Sequence, residues 1–216
     1  MQSRCACGKS FSVDHAIMCH KGGLPTLWHN EVRDLTAALL AETCTGVSVE
    51  PPLQALDDEE FNFRTSNRDD EARLDIKVSD FWSKGRDAFF DVRVFYPIAP
   101  SYRQKDLKAI FKQHEGEKKR SYGERMWEVE RASFTPLVFS STGGMARECT
   151  ISFKRLADIL AEKKICFSKM MFLIRCKIAF ALLRSSVSAI RGSRSLHHPI
   201  APFDFTLMHA EAQAES

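Results

Sequence analysis

Ala72-Arg73-Leu74-Asp75-Ile76 and Phe89-Phe90-Asp91-Val92-Arg93-Val94 are short apolar stretches, each with one carboxylate set into it. Both read as buried β-strands. An ionised carboxylate in such a place is costly unless something pairs with it. Side chains alternate along a strand, so Asp91 and Arg93 share one face, and Phe90, Val92 and Val94 the other. On the preceding strand Arg73, Asp75 and Lys77 share a face. If the two strands form a hairpin, Asp75 and Asp91 approach each other near one end of the sheet. Two carboxylates that close repel unless a cation lies between them. Oxygen ligands suit Mg²⁺. Such an ion lowers the pKa of a bound water and neutralises charge on a scissile phosphate. The plainer alternative is an Asp–Arg ion pair without chemistry, and residue types alone leave both readings open.

Working outward, residues 72–78 and 88–96 are expected as strands, joined by a turn at Ser83-Lys84-Gly85-Arg86. Upstream, Val32, Leu35 and Leu39 lie at helical spacing within 29–43, Val47 to Val49 form a short strand, and Pro51-Pro52 end it. Residues 53–71 are acidic and polar and read as a loop. Downstream, dense charge over 101–131 with Leu107, Ile110 and Phe111 as a narrow apolar stripe predicts a long, exposed helix or a pair of helices. Phe134 to Phe139 is a strand whose Pro136 suits an edge or a first position. Gly143-Gly144 is a turn, and 151–163 and 167–191 are amphipathic helices. The order describes a mixed α/β layer fold.

The 216 residues suffice for one sizeable domain with a small appendage. Net charge is only +3, yet it is uneven: Arg147–Arg194 holds 11 Lys/Arg against 3 Asp/Glu, and Asp57–Asp75 holds 8 acidic residues against 3 Arg. A basic half suits a phosphate backbone and an acidic patch suits cations, although either can be a solvated face. Seven cysteines, an odd number, and no signal peptide point to an intracellular, reducing compartment, nuclear or cytoplasmic. Cys44, Cys149, Cys166 and Cys176 read as reduced core residues. The most apolar run, Met170–Leu183, is broken by Arg175 and Lys177, so no membrane span is expected.

Cys5-x-Cys7, His15 and Cys19 supply three thiolates and one imidazole, a set that suits a closed, tetrahedral structural zinc site. So short a loop-rich segment buries little surface, and a metal would supply its fold. His20 and His29 are alternative ligands, and free thiols in a frayed terminus are the competing reading. Ser140-Ser-Thr-Gly-Gly144 is read first as a turn and second as a contact to a DNA backbone.

The pattern Asp75…Asp91-Val-Arg93 resembles the PD-(D/E)xK nuclease superfamily, and more closely the restriction-like endonuclease domain of some non-LTR retrotransposons. Phe11-Ser-Val-Asp-His15-Ala, His29-Asn-Glu31-Val-Arg33-Asp34, Phe89-Phe-Asp-Val-Arg-Val-Phe95, Phe134-Thr-Pro-Leu-Val-Phe139 and Ile190-Arg-Gly-Ser-Arg-Ser195 carry the likeness, which extends over roughly residues 5–195 and also takes in retroelement-derived open reading frames. It implies a restriction-endonuclease-like mixed sheet flanked by helices over 29–195. A zinc knuckle over 1–28 would precede it, and a disordered tail over 196–216 would follow. It implies Asp75 and Asp91 as ligands of Mg²⁺ or Mn²⁺, and Glu31 as the helix carboxylate that assists them. Leu74 stands where the family has Pro. Arg93 stands where the usual Lys lies; it stays protonated and cannot act as a base. The resemblance moves that Lys to the following helix, where Lys118 fits, four residues before Tyr122; an exposed basic run is the other reading of Lys118–Arg120. The expected function is metal-dependent cleavage of DNA, nicking a target for reverse transcription, with DNA or RNA and a reverse transcriptase domain as partners. The alternative is a catalytically decayed, zinc-dependent nucleic-acid-binding module.

Overall fold

The computed structural model describes residues 4, 7–19, 24–54, 73–163 and 166–191. Its elements in chain order are α1 (Val13–Met18), α2 (Leu24–Ala41), β1 (Thr45–Val49), β2 (Ile76–Ser79), β3 (Asp87–Phe95), a 3₁₀ turn (Pro100–Tyr102), α3 (Leu107–Glu128), β4 (Ser133–Ser140), α4 (Arg147–Lys163) and α5 (Phe167–Arg191). The mixed α/β class expected from the sequence holds. The tail 196–216, Cys5 and His20 lie outside the described residues.

The sheet has four strands in the order β1-β2-β3-β4. β1–β2 and β2–β3 pair antiparallel, and β3–β4 pair parallel. A parallel neighbour needs a crossover, and α3 supplies it. β3 is one of the two interior strands, and its residues Ala88–Val92 are all buried, as expected of a strand covered on both faces. Alternation divides it as the sequence predicts. Ala88, Phe90 and Val92 join the main core with residues of α2, α4 and α5. Phe89 joins a smaller cluster with Leu53, Leu74, Met126 and Ala132, flanked by Tyr122 and Phe134. Asp91 therefore belongs to the face that α3 covers. β4 is an edge strand, which is why it tolerates Pro136, the neighbour of Asp91 across the ladder.

Cys149, Phe153, Leu156 and Leu160 line the buried face of α4 at helical spacing. Trp28 of α2 donates its indole N–H to Ser186 Oγ at 3.0 Å and to the Leu182 carbonyl at 3.3 Å, tying α2 to α5. α3 buries only Ile110, His114 and Met126, and is the exposed helix its charge density predicts.

Two expectations need correction. Asp75 is not inside a strand: β2 begins at Ile76, Asp75 sits in a bend, and Arg73 makes an isolated bridge to Pro52. Of the four cysteines assigned to the core, only Cys149 is buried; Cys44 and Cys176 are half-buried and Cys166 is exposed. Apolar neighbours in sequence do not say which face of a helix a thiol takes.

Gly46 has φ +63°, and a Cβ there would lie 2.6 Å from Ser79 Oγ. It sits where the β1–β2 register shifts. Gly46→Ala is expected to destabilise the fold by about 1–3 kcal/mol, since both backbone and space disfavour it. A denaturant midpoint unchanged by the substitution would contradict this.

Candidate carboxylate site

The β2–β3 register pairs Ile76 with Phe90, and its continuation by one residue brings Asp75 opposite Asp91. The ladder stops there, and the Asp75 side chain takes over. Its Oδ2 accepts the Val92 backbone N–H at 2.5 Å, and its own carbonyl accepts from Glu50 N at 2.9 Å. Asp75 Oδ1 lies 2.9 Å from His29 Nε2, and His29 Nδ1 lies 3.1 Å from the Val92 carbonyl. His29 was weighed as a ligand of the N-terminal cysteines; the structure places it here instead, one helical turn into α2.

Asp91 is only 5% exposed. Lys118 Nζ of α3 lies 2.6 Å from its Oδ2. The ammonium and the buried carboxylate form a close ion pair. Burial pushes the Asp91 carboxyl up to about 6, the nearby Asp75 charge adds to the rise, and Lys118 and His29 oppose it. The Lys118 ammonium also lies 5.6 Å from the Tyr122 ring centroid. Burial, with a contribution from Asp91, raises the Tyr122 phenol. Asp75, Asp91 and Lys118 thus come from three different segments and gather beside the middle of β3, where β2 begins.

The other expected residues are placed differently. Arg93 shares the Asp91 face, but its Nη1 donates to Glu117 Oε2 at 2.8 Å. Hydrogen bonding from Gln113, with the Arg93 charge, holds the Glu117 carboxyl below its usual range. Buried His114 stands beside it, its Nε2 3.0 Å from the Tyr102 hydroxyl. Glu31 turns toward α5 and accepts from Arg184 Nη2 at 2.7 Å. In the turn after β4, Ser140 Oγ accepts from Gly144 N at 2.9 Å and the Ser140 carbonyl accepts from Gly143 N at 3.0 Å. Those amides are engaged within the turn, as its first reading expects.

At the N-terminus Cys7, His15 and Cys19 bring one ligand atom each within 4.8 Å of one another. Cys7 Sγ lies 3.1 Å from His15 Nε2, and Ser12 caps α1 by accepting from His15 N at 3.1 Å. The soft thiolate and imidazole donors fit zinc. Among the described residues this is the sole His/Cys/Asp/Glu group of three at that spacing. The carboxylate site is therefore looser: Asp75 and Asp91 face each other, with His29 on one and Lys118 on the other. Two neighbouring carboxylates suit an oxygen-bound cation, and the Lys118 ammonium holds the Asp91 Oδ2 that such an ion would share.

Sequence reasoning missed the role of His29. No spacing rule connects a helix residue to a carboxylate 46 positions away. No family model matches this chain, and no curated protein matches it. No helix among the described residues is long and apolar enough to cross a membrane.

Proposed function

We propose that this chain is a metal-dependent DNA endonuclease of the restriction-like kind, derived from a retroelement. The observation that carries the reading is the Lys118 ammonium 2.6 Å from the Asp91 carboxylate, opposite Asp75. Of the five residues expected to form the catalytic group, Asp75, Asp91 and Lys118 converge, whereas Glu31 pairs with Arg184 and Arg93 with Glu117.

Asp75 and Asp91 would hold Mg²⁺ or Mn²⁺, which when bound supplies positive charge against the phosphate and a more acidic water. Lys118 is placed to orient a water and to stabilise charge developing on a phosphate oxygen. Arg93, steadied by Glu117, is a fixed positive charge on the same face and serves as an electrostatic aid, not a base. Glu31 is a positioning residue at most, through its pair with Arg184 on α5. Cys7, His15 and Cys19 would hold a structural zinc, with Cys5 as the fourth ligand. The DNA or RNA partner, the supply of a primer end for a reverse transcriptase domain, and nuclear or cytoplasmic location rest on the resemblance.

One observation favours a second reading, a decayed nucleic-acid-binding module. Each carboxylate already has a nitrogen partner, Asp75 with His29 and Asp91 with Lys118. Incubation of the zinc-replete chain with supercoiled plasmid separates the two. Nicking with Mg²⁺ or Mn²⁺ that stops with EDTA and is lost in Asp75→Ala is the expected result. A folded chain that shifts DNA in a gel, never nicks it, and binds equally well as Asp91→Ala establishes the binding module.

A further inference from the structure

We propose that His29 is itself a ligand of the cation held at Asp75, and that its nitrogen biases the site toward a first-row transition ion over Mg²⁺. This rests on the metal-site reading above and deepens it. His29 Nε2 and Asp75 Oδ1 are 2.9 Å apart. Two ligands each about 2.1 Å from one ion, at right angles, stand about 3 Å apart. The pair therefore already has the spacing of neighbouring ligands.

Its supports point the same way. Val92 O and Asp75 Oδ1 both only accept, so both ring nitrogens carry hydrogen in the metal-free chain; a cation would displace the Nε2 proton while the Nδ1–H stays on Val92 O. An imidazole held by a backbone carbonyl through one nitrogen, with the other presented, is how metal-ligating histidines are oriented. The Val92 N–H holds Asp75 Oδ2 at the same time. One peptide residue thus fixes both ligands, one through each of its backbone groups. Asp91 directly precedes it, its buried carboxylate paired with the Lys118 ammonium at 2.6 Å. The His29 side chain is 30% exposed, so an ion can reach it. Imidazole suits first-row transition ions, whereas Mg²⁺ keeps to oxygen.

The test is Mn²⁺ binding to the full chain, with one equivalent of zinc first supplied to the cysteines, followed by electron paramagnetic resonance. Pulsed spectra of the wild type are expected to show coupling of Mn²⁺ to a ring nitrogen. His29→Gln should lose that coupling and bind Mn²⁺ at least about tenfold more weakly. Mg²⁺ affinity, read by competition, should change little, and His15→Ser should keep the coupling. Mn²⁺ bound without nitrogen coupling, and equally tightly by His29→Gln, overturns the proposal and leaves the nuclease reading standing. A wild type that binds no Mn²⁺ at all overturns both. The decisive spectrum is taken on the unaltered chain, so it does not depend on how the variants fold.

Discussion

Asp91→Asn is expected to lose metal-dependent nicking by at least about 10²-fold while raising the melting temperature at neutral pH. The two effects share one cause. Asp91 is 5% exposed on the interior strand β3, and its carboxyl is pushed up to about 6 from the usual 3.8, chiefly by burial. Below about pH 3.8 the group is neutral in both folded and unfolded chains. As pH rises through 6 the folded chain must carry a charge that its surroundings disfavour. The stabilising contribution is therefore present at low pH and lost as pH rises. Asparagine does not titrate and avoids that loss, which is on the order of 1–3 kcal/mol by pH 7.

Other groups titrate nearby. Burial lowers His29, but the hydrogen bond to Asp75 together with the Asp75 and Asp91 charges outweighs it and raises the group, so its contribution is also present at low pH and lost as pH rises past its folded pKa. Burial lowers His114, so it works in the opposite sense below 6.5. Asp87 and Glu117 have lowered values, and they lose stability only as pH falls below their usual carboxylate range. The informative quantity is thus the difference between wild type and Asp91→Asn, which should widen from pH 4 to pH 7. Thermal melts across that range, paired with plasmid nicking, provide both readouts. Nicking at the wild-type rate would remove Asp91 from the reaction. A lower melting temperature at pH 7 would mean that the Lys118 pair outweighs the cost of burial.

Lys118→Met should be the complementary case, losing both activity and stability. Methionine keeps a stem to pack near Tyr122 but removes the ammonium 2.6 Å from Asp91. Removing Lys118 leaves the buried Asp91 carboxylate uncompensated, whereas the Lys118 ammonium, 22% exposed, can turn to water when Asp91 is replaced. Asp91 can respond by taking up a proton, so the loss is limited to about 1–3 kcal/mol near pH 8 and shrinks toward pH 5. Nicking should fall by about 10²–10³-fold, the usual effect of deleting one preorganised charge donor. Lys118→Arg should restore most of the stability and little of the activity, because a guanidinium retains the charge but not the compact geometry. Adding Asp91→Asn to Lys118→Met should recover the lost stability. Additive losses in that double variant would show that the two side chains are not coupled.

Much of the architecture is legible in the sequence because periodicity carries it. The apolar run Phe89–Val94 reads as a buried strand and is one, since a strand covered on both faces needs apolar side chains on both. Pro136 announces an edge strand because proline cannot donate to a ladder. Charge spaced along 107–128 announces an exposed helix. Asp75 was harder: Leu74 and Ile76 are apolar, but the carboxylate itself bonds to Val92 N and ends the ladder. A side chain standing in for backbone pairing leaves no periodic trace.

The candidate site divides along the same line. Asp75 and Asp91 are nameable because each carboxylate interrupts a short apolar stretch, and Lys118 because the resemblance places a Lys four residues before Tyr122. Cys7, His15 and Cys19 are nameable because their donor types are distinctive. Tertiary packing decided the rest. It sent Glu31 to Arg184 on α5, gave Arg93 to Glu117, and set His29 between Asp75 and Val92. A long polar side chain takes whichever partner the packed helices bring within about 3 Å. That choice depends on how α2, α3 and α5 lie against the sheet, and no local pattern of residues encodes it.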